Sequence, residues 1–217
     1  SGDYPVYYPQ EGWAEQNPEE WWDAVCRASK ETIQKADIKP DEIAGIGIDG
    51  QSWSAIAIDK EGKVLTNTPI WMDTRAQSIC DRLNQEIGAE KIFEVAGNSL
   101  QPSYSTAKIL WYKENLPEVY AKIDKILQSN SYIAYKLTGV ISQDVSQGYG
   151  LHCFDMKKAC WDEEMCKLLG IPMEFLPEIC DCDHVVGTVT EKAAEESGLA
   201  VGTPVVAGGL DAACGTL

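Results

Sequence analysis

One carboxylate near the end of the chain stands where it could take part in chemistry. Asp211 follows a short apolar run at residues 205–207 and two adjacent glycines, Gly208 and Gly209. The run predicts a buried strand, and adjacent glycines allow a sharp turn and a close approach of the backbone to a ligand. Open α/β sheets bind ligands at the carboxyl ends of their strands, so Asp211 is a candidate site residue. A helix cap in a tight turn explains the same residues without any chemistry.

Four other polar segments stand next to predicted strands or at the starts of predicted helices, and they comprise residues 49–54, 71–75, 101–104 and 144–149. Segment 71–75 contains Asp73 and Arg75, a pattern that a helix cap followed by a surface cation also explains. Together with the single carboxylate of Asp211, these segments predict a small-molecule site in a cleft. They do not specify a reaction.

The elements that must position these segments alternate between helices and short strands, which indicates an α/β fold. Asn17, Pro18 and the two glutamates after them predict the start of a helix, one face of which packs on a core. Residues 43–48 predict a buried strand that leads into segment 49–54, and residues 52–65 predict a strand, a hairpin turn and a returning strand. This mixture of connections predicts a mixed sheet with flanking helices. Further helices are predicted near residues 70–87, 89–96, 105–115, 131–137, 161–169 and 191–197, and further strands near 123–127, 185–190 and 204–207.

The charge of the chain argues against two classes of partner. Its 217 residues include 18 lysines and arginines and 34 aspartates and glutamates, which gives a formal net charge of −16. So strong a negative charge argues against binding to nucleic acid or to an anionic membrane surface. No apolar run approaches the roughly 18 residues that a membrane-spanning helix needs, and the polar residues 1–4 do not look like a signal peptide. The expected location is the cytoplasm.

Eight cysteines are too few for a disulfide-based scaffold in a chain of this length. Six of them are scattered through apolar or helical contexts, where a free cysteine acts as a small hydrophobic residue. Cys180, Cys182 and His184 form the one cluster, and its spacing lacks the second pair of ligands expected of a zinc site. We therefore expect free thiols in a reducing compartment and no metal bound by these side chains.

Four segments together resemble the N-terminal domain of the FGGY family of carbohydrate kinases and are most similar to its xylulokinase branch. They are residues 8–22, the Gly-Ile-Gly-Ile-Asp-Gly-Gln sequence at 45–51, the Trp-x-Asp-x-Arg element at 71–75 and Gly-Gly-Leu-Asp at 208–211. The resemblance extends in order over essentially all 217 residues. It implies a ribonuclease H-like domain of the actin-like ATPase superfamily, with a mixed sheet and flanking helices.

The resemblance also implies an activity, which is transfer of the γ-phosphoryl group of ATP, with Mg²⁺, to a hydroxyl of a sugar or polyol. Asp211 is the implied general base that takes the proton of the attacking hydroxyl. The residues implied at the sugar are Gln51, Ser52, Trp53, Asp73, Arg75 and Ser103, and those implied at the cofactor are Gly208 and Gly209. Homodimers are common in the family, so a homodimer is a further expectation.

The chain departs from the xylulokinase pattern in two places that contact the sugar in that branch, a loop and a single residue. Xylulokinases carry Gly-Gln-Met-His-Gly where this chain has Ser52 and Trp53 after Gln51, and they tend to have Asn where this chain has Ala212. The substrate is therefore open among ketopentoses, keto-sugar acids and polyols. The implied chemistry is unaffected.

The resemblance raises a further expectation about the extent of the chain. The family begins with an Asp-x-Gly-Thr phosphate-binding hairpin and continues into a second domain that holds the adenosine, and neither is found in this sequence. We expect residues 1–217 to be a substrate domain that is inactive alone. Two other classes stay open, a non-kinase member of the actin-like superfamily and a sugar-binding module. The second of these predicts that replacing Asp211 leaves function intact.

Overall fold

A computed structural model describes residues 1–216, which form ten α-helices and twelve short strands. The helices are α1 (Pro18–Ala36), α2 (Gln77–Leu83), α3 (Ala89–Ala96), α4 (Ser105–Asn115), α5 (Pro117–Tyr120), α6 (Ser129–Thr138), α7 (Val145–Gly148), α8 (Glu163–Leu169), α9 (Glu191–Ser197) and α10 (Asp211–Cys214). The strands are β1 (Glu15–Gln16), β2 (Asp49–Gly50), β3 (Ile56–Ile58), β4 (Thr68–Pro69), β5 (Lys125–Leu127), β6 (Gln143–Asp144), β7 (Phe154–Asp155), β8 (Cys160–Trp161), β9 (Ile179–Cys180), β10 (Val185–Thr188), β11 (Pro204–Val206) and β12 (Gly209–Leu210).

Strand pairing is mixed, as the sequence predicts. Four pairs are antiparallel, β1 with β4, β3 with β5, β7 with β8, and β10 with β11. Two pairs are parallel, β2 with β12 and β6 with β9. An additional parallel bridge joins Ile46 to Val205, so the chain before β2 follows β11 as well.

The first helix begins where its sequence predicts. The Asn17 side chain accepts a hydrogen bond from the backbone N–H of Glu19, and Pro18 occupies the first helical position. The buried face of α1 carries Trp21 and Trp22, and the indole Nε1 of Trp22 donates to Glu196 of α9. The prediction that these two tryptophans pack inside the protein is therefore confirmed.

The core consists of two hydrophobic clusters that share strand β3 as a wall. Successive side chains of a strand point to opposite faces. Accordingly, Ile56 and Ile58 lie in the cluster packed by α1, α6 and α9, whereas Ala55 and Ala57 lie in the cluster packed by α2, α3, α4 and α8. Each face of β3 thus packs in its own hydrophobic cluster. The loop that precedes β3, residues 51–54, lies where the two clusters meet.

The prediction of a buried strand over residues 43–48 is wrong. Only Ile46 makes a strand bridge, and the side chains of this stretch are half-buried or exposed. One edge of the stretch pairs with residues 204–210, whereas on its other side the described residues leave an apolar groove of about 430 Å³ between it and helices α1 and α6. The groove leaves these isoleucines partly open to solvent.

Other elements are shorter than predicted. The helix predicted over 70–87 begins at Gln77, because segment 71–75 makes buried polar contacts that hold it out of helical geometry, and beyond Leu83 it continues as a π-helical turn, Asn84–Gly88. The strand predicted from residue 52 begins at Ile56, and its returning partner makes only a bridge, between Ile58 and Val64. Of the helices within residues 1–216, none combines the length and apolar character needed to cross a bilayer.

Candidate functional site

Two parallel strands end at the same edge and bring two predicted segments together. Gly209 of β12 lies opposite Asp49 of β2, and Leu210 lies opposite Gly50. Residues that follow parallel strands directly must emerge side by side, so Gln51 and Asp211 stand at one edge of the pair. The carboxylate and the polar loop predicted to share a site are therefore neighbours.

Asp211 is an exposed carboxylate at this edge. It is the first residue of the four-residue helix α10, and its Oδ1 accepts a hydrogen bond from the N–H of Ala212 at 2.7 Å. The same Oδ1 lies 3.5 Å from the hydroxyl of Ser52. Burial, and more weakly the charge of Asp211, raise the pKa of Tyr149, which indicates that this phenol lies near the carboxylate. An exposed carboxylate beside a hydroxyl and a phenol suits contact with a polar ligand.

Aromatic side chains form a wall next to the carboxylate. Trp53 stacks on Tyr104 with ring centroids 4.2 Å apart, and both rings meet Tyr149 edge-on at 6.1 Å. His152 packs against Tyr104 at 5.0 Å, and burial lowers its pKa to about 4, so its ring is neutral near pH 7. Of the predicted sugar residues, Trp53 belongs to this wall, and Ser103 lies in the turn just before Tyr104. We call these four rings the aromatic wall.

Trp53 is held in an unusual backbone conformation. Its φ is +61°, a left-handed region that bulky residues seldom adopt. Its carbonyl accepts a hydrogen bond at 2.7 Å from the Nζ of Lys108, a fully buried residue of α4. A strained residue persists where its surroundings hold it, and functional sites are where such strain concentrates. Sequence reasoning missed Lys108, although a lysine flanked by uninterrupted apolar and small residues in a predicted helix is a signal for it.

Lys108 gives a pH-dependent prediction. Burial lowers its pKa to about 7, an effect that the charge of Arg75 adds to and that of Asp73 opposes. The unfolded chain keeps this proton up to about pH 10.5, so between pH 7 and pH 10 the unfolded state binds more protons and stability rises with pH. Relative to the Lys108→Met variant, wild type should gain about 2 kcal/mol of unfolding free energy between pH 7 and pH 9. Urea denaturation of both proteins at the two pH values measures it.

Lys113, an exposed lysine of the same helix, supplies the matched control. The Lys113→Met variant should differ from wild type by the same amount at both pH values, because an exposed ammonium is solvated in both states. A gap between wild type and Lys108→Met that stays constant from pH 7 to pH 9 would contradict the prediction.

Gln51 joins the site through its backbone more than through its side chain. Its carbonyl accepts hydrogen bonds from the hydroxyl of Ser129 and from the Nε2 of Gln147, and its side-chain amide donates to Gln16 at 2.7 Å. The start of loop 51–54 is thus fixed from three directions. A contact between the Gln51 amide and a sugar stays a prediction.

Asp73 and Arg75 form a buried network with each other and with residues 13–15. The Asp73 carboxylate accepts hydrogen bonds from the N–H of Ala14, at 2.7 Å, and from the Arg75 guanidinium. Arg75 also pairs with Glu15 at 2.8 Å, and its guanidinium lies 3.8 Å from the ring centre of Trp13. The structure does not bring this pair into contact with Ser52, Trp53 or Asp211, and a role in sugar binding stays a prediction.

The two glycines before Asp211 use their amides within the chain. Gly208 donates its N–H to the carbonyl of Cys182 at 3.0 Å, and Gly209 donates to the carbonyl of Ile48 at 2.9 Å. Neither N–H is free to hold a phosphate, so their predicted contact with the cofactor finds no support in this geometry and stays a prediction. Within residues 1–216, no three His, Cys, Asp or Glu side chains are grouped to hold a metal ion.

The sequence and the fold were compared with known proteins. All 217 residues match the model of the FGGY family of carbohydrate kinases, N-terminal domain. The chain is 29% identical to the xylulose kinase of Bacillus subtilis over 214 residues, which cover 99% of the chain and 43% of that protein. It is 35% identical to the glycerol kinase of Thermococcus kodakarensis over 189 residues, which cover 85% of the chain and 38% of that protein.

A solved structure shows the same fold. A ligand-bound xylulose kinase from Lactobacillus acidophilus matches with a TM-score of 0.90 at 29% identity, over 98% of this chain and 43% of that one. The expected fold, a ribonuclease H-like α/β domain of the actin-like ATPase superfamily, is thereby confirmed. The chain spans about two fifths of the length of the relatives it matches. Because the family model covers the whole sequence, the chain belongs to the FGGY family of carbohydrate kinases.

Proposed function

We propose that the protein transfers a phosphoryl group from ATP to a hydroxyl of a sugar or polyol, and that this chain supplies the acceptor side of the site. The observation that carries the proposal is the exposed Asp211 carboxylate, which stands where β2 and β12 end, beside Ser52 and the aromatic wall. Membership of a carbohydrate kinase family supports the same reaction. A carbohydrate presents hydroxyls to the polar groups and C–H faces to the rings.

Asp211 acts as the general base. The acceptor hydroxyl donates a hydrogen bond to the carboxylate, and its oxygen attacks the γ-phosphorus of ATP. The O–P bond to the sugar forms while the bond to ADP breaks, and the hydroxyl proton passes to Asp211. Phosphoryl transfer depends mostly on positioning and charge stabilisation, with modest help from a base. Mg²⁺ would supply charge neutralisation at the phosphates.

Loop 51–54 is the part of the site that sets the substrate. Trp53 stands in the wall where the xylulokinase branch has His, and Ser52 places a hydroxyl 3.5 Å from Asp211. Relatives and solved neighbours are described as kinases of xylulose, glycerol and gluconate. We propose that the acceptor is a ketopentose, a polyol or a sugar acid of this size. A homodimer and a cytoplasmic location stay predictions from the family and from the free thiols.

The test is turnover by the full-length gene product. ADP release with Mg-ATP should occur with one of xylulose, glycerol or gluconate, and Asp211→Ala should lower kcat at least about 100-fold with KM changed less than threefold. The loss in kcat alone is expected because the base acts in the transition state. The control is Asp183→Ala. Asp183 is an exposed aspartate that follows Cys182, whose carbonyl accepts from the Gly208 N–H, and its replacement should keep wild-type turnover.

Two outcomes would reject the proposal. If the Asp211→Ala variant keeps wild-type turnover, Asp211 is not the general base. Saturable sugar binding by wild type with no ADP release under any acceptor would favour a sugar-binding module.

A further inference from the structure

A buried carboxylate lies behind the site and takes no direct part in the proposed reaction. Asp144 is the last residue of β6, is fully buried, and forms no ion pair with any described residue. Neutral donors surround it. Its Oδ1 accepts from the Ser146 hydroxyl at 2.5 Å and from the Gln147 N–H at 2.9 Å, and its Oδ2 accepts from the Asn130 amide at 2.7 Å. So many charge-assisted hydrogen bonds make a rigid group.

This group holds the backbone just before Asp211 at two points. The Ser146 oxygen, while donating to Asp144, accepts the backbone N–H of Leu210 at 2.9 Å. The Asn130 amide, while donating to Asp144, also donates to the carbonyl of Ala207 at 3.0 Å. Residues 207 and 210 bracket the two glycines. The two-glycine stretch before Asp211 is thus fixed at both ends.

The same segment also holds the other strand end. The Gln147 side chain donates to the carbonyls of Gly50 and Gln51 at 3.2 and 3.1 Å. Segment 144–147 therefore sets the ends of β2 and β12 relative to each other. Segment 144–149 is one of the polar segments identified in the sequence. None of its residues was predicted to contact the sugar, and here its side chains hold the backbone of the site.

Asp211 needs such support because little else restrains it. Its side chain is exposed, its helix is only four residues long, and its nearest side-chain partner, Ser52, is 3.5 Å away. The backbone of Leu210 therefore determines where the carboxylate stands. Errors of about 1 Å in such a position can cost about 100-fold in rate.

We infer that Asp144 and Ser146 position the general base. The Ser146 hydroxyl connects the two parts, because it donates to the fixed Asp144 carboxylate and accepts from the N–H of Leu210. Both are positioning residues, because neither contacts Asp211 itself. The inference rests on the proposed function and adds to it the residues that hold the base in place. Removing the Ser146 hydroxyl should loosen the turn and slow the chemical step without weakening acceptor binding.

The test is Ser146→Ala in the full-length gene product. We expect kcat about tenfold below wild type and KM within twofold, because the positioned base matters in the transition state. In the Asp211→Ala background the same change should alter turnover less than twofold, since the base it positions is gone. Ser146→Thr, which keeps the hydroxyl, should restore most of kcat.

Ser197 provides a matched control, because its hydroxyl also donates to an oxygen, of Ala193, and accepts a backbone N–H, of Leu199. Ser197→Ala should leave kcat unchanged. Amide hydrogen exchange gives a second readout, in which Ser146→Ala should speed exchange at Leu210 at least tenfold and Ser197→Ala should not. A Ser146→Ala enzyme with wild-type kcat, an equal loss in both backgrounds, or unchanged exchange at Leu210 would overturn the inference. Each of these three outcomes leaves the proposed kinase activity intact, whereas a wild-type enzyme without turnover would reject both the kinase activity and the positioning role.

Discussion

Gly208→Ala is expected to lower the free energy of unfolding by about 4 kcal/mol or more, the range of severe backbone clashes. A Cβ built on Gly208 would lie 1.9 Å from the carbonyl oxygen of Ile48 and 2.9 Å from its carbon. Neither atom is at the end of a flexible side chain, so the two backbones must separate. The separation would break the bond from the Gly209 N–H to that same carbonyl and with it the β2–β12 pair. Urea denaturation followed by tryptophan fluorescence measures the loss.

Gly139 isolates the clash from the conformational strain. It has the same φ, +75°, and a Cβ there would meet nothing within 4 Å. Gly139→Ala should therefore cost only the left-handed strain, about 1 kcal/mol. Equal destabilisation by the two substitutions would show that only conformational strain acts at Gly208. The explanation by a clash with the Ile48 backbone would then be wrong.

The features that the sequence predicts well are those that depend on neighbouring residues. The cap of α1 needs only Asn17 and the residues just after it, and it forms as predicted. The predicted mixed pairing is also found, although the strands that pair, such as β2 with β12 and β3 with β5, lie far apart in the chain. By contrast, the burial of residues 43–48 depends on what covers them from elsewhere, and an apolar pattern carries no such information.

The candidate site divides in the same way. Asp211 and loop 51–54 could be predicted as candidates because a polar residue or turn that follows an apolar run is a local signal in the sequence. Lys108, His152 and Asn130, the amide partner of Asp144, could not, because each contacts a residue 14 to 55 positions away along the chain. The left-handed Trp53 is of the same kind, since a tryptophan has no local preference for that conformation.

Asp73 and Arg75 show how one pattern supports different structures. Two residues apart before a predicted helix, they fit a cap with a surface cation equally well. The structure instead encloses both side chains, at 0% and 2% exposure, and ties them to Glu15 and to the backbone of Ala14. The strand that contains Glu15 lies some 60 residues earlier, so only tertiary structure could reveal the network.

The buried pair gives the second large prediction. Arg75→Met should lower the free energy of unfolding by about 3–5 kcal/mol, because it leaves the Asp73 carboxylate buried with only two backbone donors, the N–H groups of Ala14 and of residue 75, and no opposite charge paired with it. The change also removes the guanidinium that lies 3.8 Å from the Trp13 ring and 4.9 Å from that of Trp111. Urea denaturation at pH 7 measures the effect.

Two comparisons separate the unpaired charge from the loss of arginine as such. Arg82→Met breaks an ion pair with Glu114 in which both side chains are more than 40% exposed, and it should cost less than about 1 kcal/mol. Adding Asp73→Asn to Arg75→Met removes the unpaired charge, although the one oxygen of the asparagine can accept from only one of the two backbone N–H groups, of Ala14 and of residue 75, that the carboxylate served. The double variant should therefore be more stable than Arg75→Met by about 1 kcal/mol. A double variant no more stable than the single one would mean that the other contacts of Arg75, with Glu15 and with the aromatic rings, and not the charge of Asp73, hold this part of the fold together.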